Sequence, residues 1–99
     1  MTPEEAWRLL ENSRKRIDDI DAALIDLLNR RAGVVEDIVA AKRVLNKDVD
    51  DPDRREQVLA HARAQNAGPL SNEELTSIFE RIIDKMSDHQ VARLKTGRS

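Results

Sequence analysis

The chain has 99 residues, enough for one domain near the lower limit for a self-sufficient core. Charged residues make up 36%, aromatics 2%, and the net charge is −2, which argues against a nucleic-acid binder with its basic excess and stacking aromatics. There is no cysteine, which removes disulfides and thiolate metal sites, and no apolar run approaches a membrane span.

The acidic start Met1-Thr2-Pro3-Glu4-Glu5 lacks a signal-peptide core, so the cytoplasm is the expected compartment. It reads instead as a helix start: Thr2 caps, Pro3 suits the first turn and Glu5 completes a capping box. From there one helical pattern runs from Met1 to Lys47. Ile17, Leu24, Ile38 and Leu45 hold one position of a seven-residue repeat, and Ile20, Leu27, Val34 and Ala41 hold the other. Spacings that alternate between three and four put all of them on one stripe. Arg31 falls on that stripe. A guanidinium aimed into an apolar seam needs a counter-charge, and no acidic residue of the stripe supplies one. That is a first pointer to an anion from outside the chain. Trp7 and Leu10 extend an apolar face for a neighbouring helix or a partner. Gly33 reads equally as a point of close helix approach or as a weak spot, costing about 1 kcal/mol relative to alanine. A helix of this length is about 60 Å long, whereas a globule of this size is about 25–30 Å across. The stripe therefore needs a partner chain, most simply in a symmetric homodimer.

Asn46 to Asp51 is polar and ends the first helix. Asp51-Pro52 opens the second with an aspartate cap and a proline at the first helical position. This helix runs to about Gln65, with Val58 and Leu59 as apolar contacts and Ala60, Ala62 and Ala64 for close packing. Asn66 to Leu70 is a loop by its turn residues. Ser71 and Glu74 form a capping box for a third helix, whose apolar face is Leu75, Ile78, Phe79, Ile82, Met86 and Leu94. Lys95 to Ser99 is expected to fray. There is no strand pattern. The reading is a single all-α domain over residues 1–99, with a very long, a medium and a long helix. The short second helix and the internal loops favour an intertwined homodimeric bundle over a plain coiled coil.

The candidate chemistry lies in cations and one amide. Lys42 is eleven residues after Arg31, about 20° round the helix, so both can face one pocket. Lys42 alone reads equally as a snorkelling surface cation. Arg14 lies seventeen residues before Arg31, about 25 Å away along a straight helix, so only a partner's Arg14 reaches the Arg31 region. Lys15 and Arg16 compete for that role. Arg54 sits in the first turn of the second helix, where anions are favoured. It reads as sharing a bound anion with that helix end, or as a surface arginine near Asp51 and Asp53. Gln90, one turn beyond Met86, reads as a donor to a ligand oxygen or as a solvent-facing residue. His61 and His89 lack ligand spacing and read as surface residues. No serine–histidine–acid set, glycine-rich phosphate loop or metal cluster is present, so an enzyme built here works by binding and electrostatics.

Taken in order, Arg14 to Asp21, Leu27 to Arg31, Ala40 to Lys42, Asp51 to Arg54, Asn66 to Leu70, and Phe79 to Ile83 through Gln90 resemble one family. It is the small all-helical, or type II, chorismate mutases of the bacterial intertwined-dimer type. The match covers nearly the whole chain. It implies conversion of chorismate to prephenate, a Claisen rearrangement on the way to phenylalanine and tyrosine, with no cofactor and no metal. It implies that Arg31 and a partner's Arg14 clamp the two carboxylates and that Arg54 is a further substrate-binding cation. Lys42 and Gln90 become donors to the ether oxygen of the breaking bond, and Asp51 part of the contact to the ring hydroxyl. Two positions depart from the pattern. Arg55 stands where the family usually has a glutamate that helps hold that hydroxyl, and Met86 where some members have a serine that touches a carboxylate.

Other readings share these residues. On the same fold, an isochorismate-pyruvate lyase would eliminate pyruvate and leave salicylate. Similar domains also occur fused to the first enzyme of the shikimate route. That adds association with such a synthase, and a non-catalytic regulatory domain binding chorismate or prephenate. A helical dimerisation module is the plainest reading.

Overall fold

The computed structural model describes residues 1–96. Three helices follow in order: α1 (Pro3–Leu45), α2 (Pro52–Gln65) and α3 (Asn72–Thr96). Each begins with its expected cap. The Thr2 hydroxyl accepts the Glu5 N–H at 3.1 Å and the Asp51 carboxylate accepts the Arg54 N–H at 3.1 Å. At α3 the box is reciprocal: Ser71 Oγ accepts the Glu74 N–H at 3.0 Å, and Glu74 Oε1 accepts the Ser71 N–H at 3.1 Å.

The end of α1 is set by Asn46, which takes a positive φ of 54°. The Lys47 N–H then donates to the Lys42 carbonyl at 2.9 Å, and the Asn46 N–H to the Arg43 carbonyl at 3.3 Å. This pair of reversed bonds is a Schellman end, and asparagine is among the few side chains that tolerate its left-handed residue. Gly68, at φ +76°, supplies the left-handed position of the loop before α3. The Asn66 side chain holds that loop by bonding Gly68, Leu70 and Asn72. Lys95 and Thr96 are helical, so fraying does not begin at Lys95 as expected. The reason lies in α1: Arg43 Nη2 donates to the Arg93 carbonyl at 3.0 Å and approaches that of Leu94 at 3.4 Å, engaging carbonyls the helix end leaves over. The remainder of the expected tail, 97–99, lies outside the described residues.

The chain forms two compact units, Met1–Gly33 and Val34 onward. In the first, Ile17, Ile20, Leu24 and Leu27 of the seam are 50–59% exposed. Trp7 is exposed as well. In the second unit, α2 packs on α3 and the end of α1 joins them. Its buried apolar side chains are Val35, Val39, Leu59 and Ala62. Val34, Ile38 and Leu45 of the seam stay exposed. The face of α1 covered within this unit is thus one residue round from the heptad seam. On α2, Ala60 and Ala64 are exposed, so of the three alanines expected to pack closely only Ala62 does. A Cβ added at Gly33 would meet nothing within 4 Å, so no close approach inside the chain calls for glycine there. Among the described residues no helix is long and apolar enough to cross a membrane.

Candidate active site

The second unit brings Lys42 and Gln90 together. Lys42 sits in the last turn of α1, whose backbone the Schellman end fixes through the Lys42 carbonyl. Its half-buried ammonium donates to the Val49 carbonyl at 2.9 Å and to Gln90 Oε1 at 3.1 Å. A lysine ammonium has three N–H donors and no acceptor. Two are directed into the protein, which leaves the third for another acceptor. The same chemistry orients Gln90. Its side chain is 9% exposed, and because an ammonium only donates, the amide must turn its oxygen toward Lys42. The NH2 edge, with two donors, then points elsewhere.

Val49 links this pair to the start of α2. It lies in the connection between α1 and α2, two residues before the Asp51 cap. Asp51 spends one carboxylate oxygen on the Arg54 N–H, and its carbonyl accepts the Arg55 N–H at 3.0 Å. Arg54 is exposed, and its guanidinium donates to Gln57 Oε1, one turn along, at 3.3 Å. One bond of five leaves most of its donors to an anion. Arg55 behaves differently. Its guanidinium crosses to α3, where Nη1 meets Asp84 Oδ1 at 2.8 Å and Nη2 lies 3.7 Å from Glu80 Oε2. The hydrogen bond to Asp84 raises the guanidinium pKa above its ordinary value, against the opposing pull of burial. Met86 is half-buried one turn before Gln90, and its thioether offers no donor.

Arg14 and Arg31 belong to the first unit. Arg14 is exposed and Arg31 half-buried. Arg31 already has an interaction within the chain, so its place on the seam does not by itself demand an outside anion. His61 is exposed as expected, but His89 is half-buried with Nε2 3.8 Å from Glu36 Oε1. The same Glu36 oxygen takes Arg93 Nε at 2.6 Å. Glu36, Arg43 and Arg93 were not among the sequence candidates, yet they brace the neighbours of Lys42 and Gln90. One signal for them was available: Glu36 and Arg43 are seven residues apart on α1, flanking Val39.

An all-helical chain in which an ammonium fixes a buried amide, with arginines on exposed helix positions, defines a class. It is a helical fold suited to binding an anion through fixed charges and N–H donors. Comparison with known proteins narrows the class. The family model for chorismate mutase type II matches residues 13–91. The bifunctional chorismate mutase/prephenate dehydratase of Stutzerimonas stutzeri is 32% identical, over 75% of this chain and 22% of its own length. The protein of the same description from Pseudomonas aeruginosa is 33% identical over the same shares. A structure of chorismate mutase (form II) from Thermus thermophilus superposes with a TM-score of 0.79 at 28% identity, covering 82% of this chain and 92% of that one. The chain therefore belongs to the type II chorismate mutase family, a family of isomerases. It spans about a fifth of the length of the curated relatives it matches.

Proposed function

We propose that this chain converts chorismate to prephenate, as a cytoplasmic homodimer and without cofactor or metal. The observation that carries the reading is the Lys42–Gln90 hydrogen bond inside the family match. As the ether bond of chorismate breaks, negative charge builds on its oxygen. A preorganised ammonium N–H and an amide N–H stabilise that charge more than they stabilise the ground state. Both donors are set before substrate arrives, since Val49 and Gln90 hold the ammonium and the ammonium holds the amide.

The rearrangement also needs a compact conformer, which two carboxylate clamps supply by orientation. Arginine suits that task through bidentate contacts. Arg31 and the partner's Arg14 are the clamps, and Arg54 adds a third cation beside the Asp51 cap. The exposed seam of α1 supports a second copy as their source. Ile17, Ile20, Leu24, Leu27, Val34 and Ile38 form a regular apolar stripe that this chain leaves open, and a stripe of that regularity is normally covered by another helix.

The test is a chorismate-consumption assay on the purified chain, with isochorismate run in parallel. Prephenate from chorismate is the expected product. Salicylate from isochorismate without prephenate would replace the mutase reading with a lyase. Binding of chorismate without turnover would replace it with a regulatory domain.

A further inference from the structure

We propose that Arg55 is a positioning residue, whose ion pairs with Asp84 and Glu80 hold the first turn of α2, with Asp51 and Arg54, at a fixed place against the helix that carries Gln90. This rests on the mutase reading for its kinetic consequence, and on geometry alone for the clamp itself.

Among residues 51–57, Arg55 is the one whose side chain is not exposed. The buried contacts of α2 come later, at Leu59 and Ala62. Among the described residues the first turn has no buried apolar side chain, and the Arg55 guanidinium links it to α3. Asp84 and Glu80 are four residues apart on α3, so they stack on one face and take two different nitrogens of the same fork. Arg55 is 34% exposed against 48% and 55% for its acids, so it is the most shielded member of the trio. Its backbone N–H donates to the Asp51 carbonyl at 3.0 Å. The residue thus joins the Asp51 cap to α3 through its main chain at one end and its side chain at the other. From the other side, Lys42 holds the same connection at Val49. Asp51 and Arg54 lie between these two ties.

A side chain committed to α3 is not a substrate contact, so its removal acts through the placement of Arg54 and Asp51. Misplacing a binding group by about 1 Å costs up to roughly 10²-fold. An exposed ion pair restrains less than that, so the expected loss in kcat/KM is about two- to fivefold, carried mostly by KM.

The experiment is a double-mutant cycle of Arg55→Gln and Asp84→Asn, with kcat and KM measured for chorismate and Arg55→Lys as the conservative variant. The proposal expects both single variants to raise KM alike with kcat nearly kept, the double variant to be no worse than either, and Arg55→Lys, which keeps the charge, to lose less than Arg55→Gln. If Asp84→Asn keeps wild-type KM while Arg55→Gln loses it, Arg55 touches substrate directly and the proposal fails. Equal losses of melting temperature with unchanged kinetics also overturn it, since they show a merely structural bridge. If the unmodified chain does not turn over chorismate, the mutase reading fails separately. The clamp is then read from amide hydrogen exchange of residues 54–57, where both single variants must lose protection alike; unchanged protection overturns it.

Discussion

Lys42 Nζ donates to Gln90 Oε1 at 3.1 Å, across 48 residues of sequence. The bond makes the amide of α3 a one-way group, with its oxygen toward α1 and its N–H donors on the other edge. Gln90→Glu keeps the shape and the acceptor but removes those donors at neutral pH. A protonated carboxyl restores one O–H donor. Activity of this variant should be depressed by roughly 10²–10³-fold at pH 7, the usual effect of deleting one such donor. It should rise as pH falls toward the carboxyl's pKa. A pH–rate profile of the variant that is flat, or that falls with acid, would remove Gln90 from the reacting oxygen.

The legible and the illegible features of this chain differ in range. Thr2, Asp51-Pro52 and Ser71 with Glu74 announce the helix starts because a cap bonds residues three apart, and each is found as read. The heptad seam was legible for the same reason. In the single chain that seam stays exposed. Gln90 was singled out as one turn beyond Met86, but only the fold shows it buried. The pairings Arg55–Asp84, Glu36–Arg93 and Arg43 with the end of α3 join groups 29 to 57 residues apart. Any of the many charged residues in a chain that is 36% charged could serve equally well by pattern. That is why Arg55 read as a lost substrate contact, whereas its side chain turns to α3.

Arg14→Ala and Arg31→Ala test the shared site. On the proposed function each variant alone should lose most turnover, since each would remove a carboxylate clamp from every site of the proposed homodimer. Mixed and allowed to exchange subunits, they should form hybrids in which one of the two sites has both arginines intact. Recovery toward a quarter of wild-type activity is expected at equal mixing with random exchange, because half the dimers are hybrid and each has one whole site. Exchange demonstrated by mass spectrometry with no recovery would show that the two arginines serve one site from the same chain.

The seam makes its own prediction about assembly. Leu24 is 50% exposed in the single chain and occupies the middle of the stripe. Leu24→Glu puts a charge where two apolar stripes would meet, and an unpaired charge in such a seam costs several kcal/mol. Sedimentation equilibrium should give the mass of a dimer for the wild type and of a monomer for the variant, with chorismate turnover lost alongside. A wild type sedimenting as a monomer of 11.3 kDa would sink the covered seam and the shared site together.

Glu74 gives a prediction about pH and stability that is independent of function. Its carboxylate accepts the Ser71 backbone N–H, which is the main reason its pKa lies below the ordinary 4.5; the Ser71 side chain adds to the effect and slight burial opposes it. The unfolded chain, lacking this bond, takes up a proton more readily. The contribution to stability is therefore complete above the unfolded value and is lost as pH falls through the lower folded value. The chain carries 19 aspartates and glutamates, so the readout is a difference between two proteins. Glu74→Gln keeps a neutral acceptor for the box but cannot titrate. Between pH 5 and pH 3, on the order of the range that carboxylate linkage covers, the melting temperature of the wild type should fall faster than that of Glu74→Gln. The two curves should converge at the acid end, and added salt should shrink the gap at neutral pH because the group is exposed. Parallel curves across the whole range would mean that the Ser71 box makes no charge-dependent contribution to holding α3.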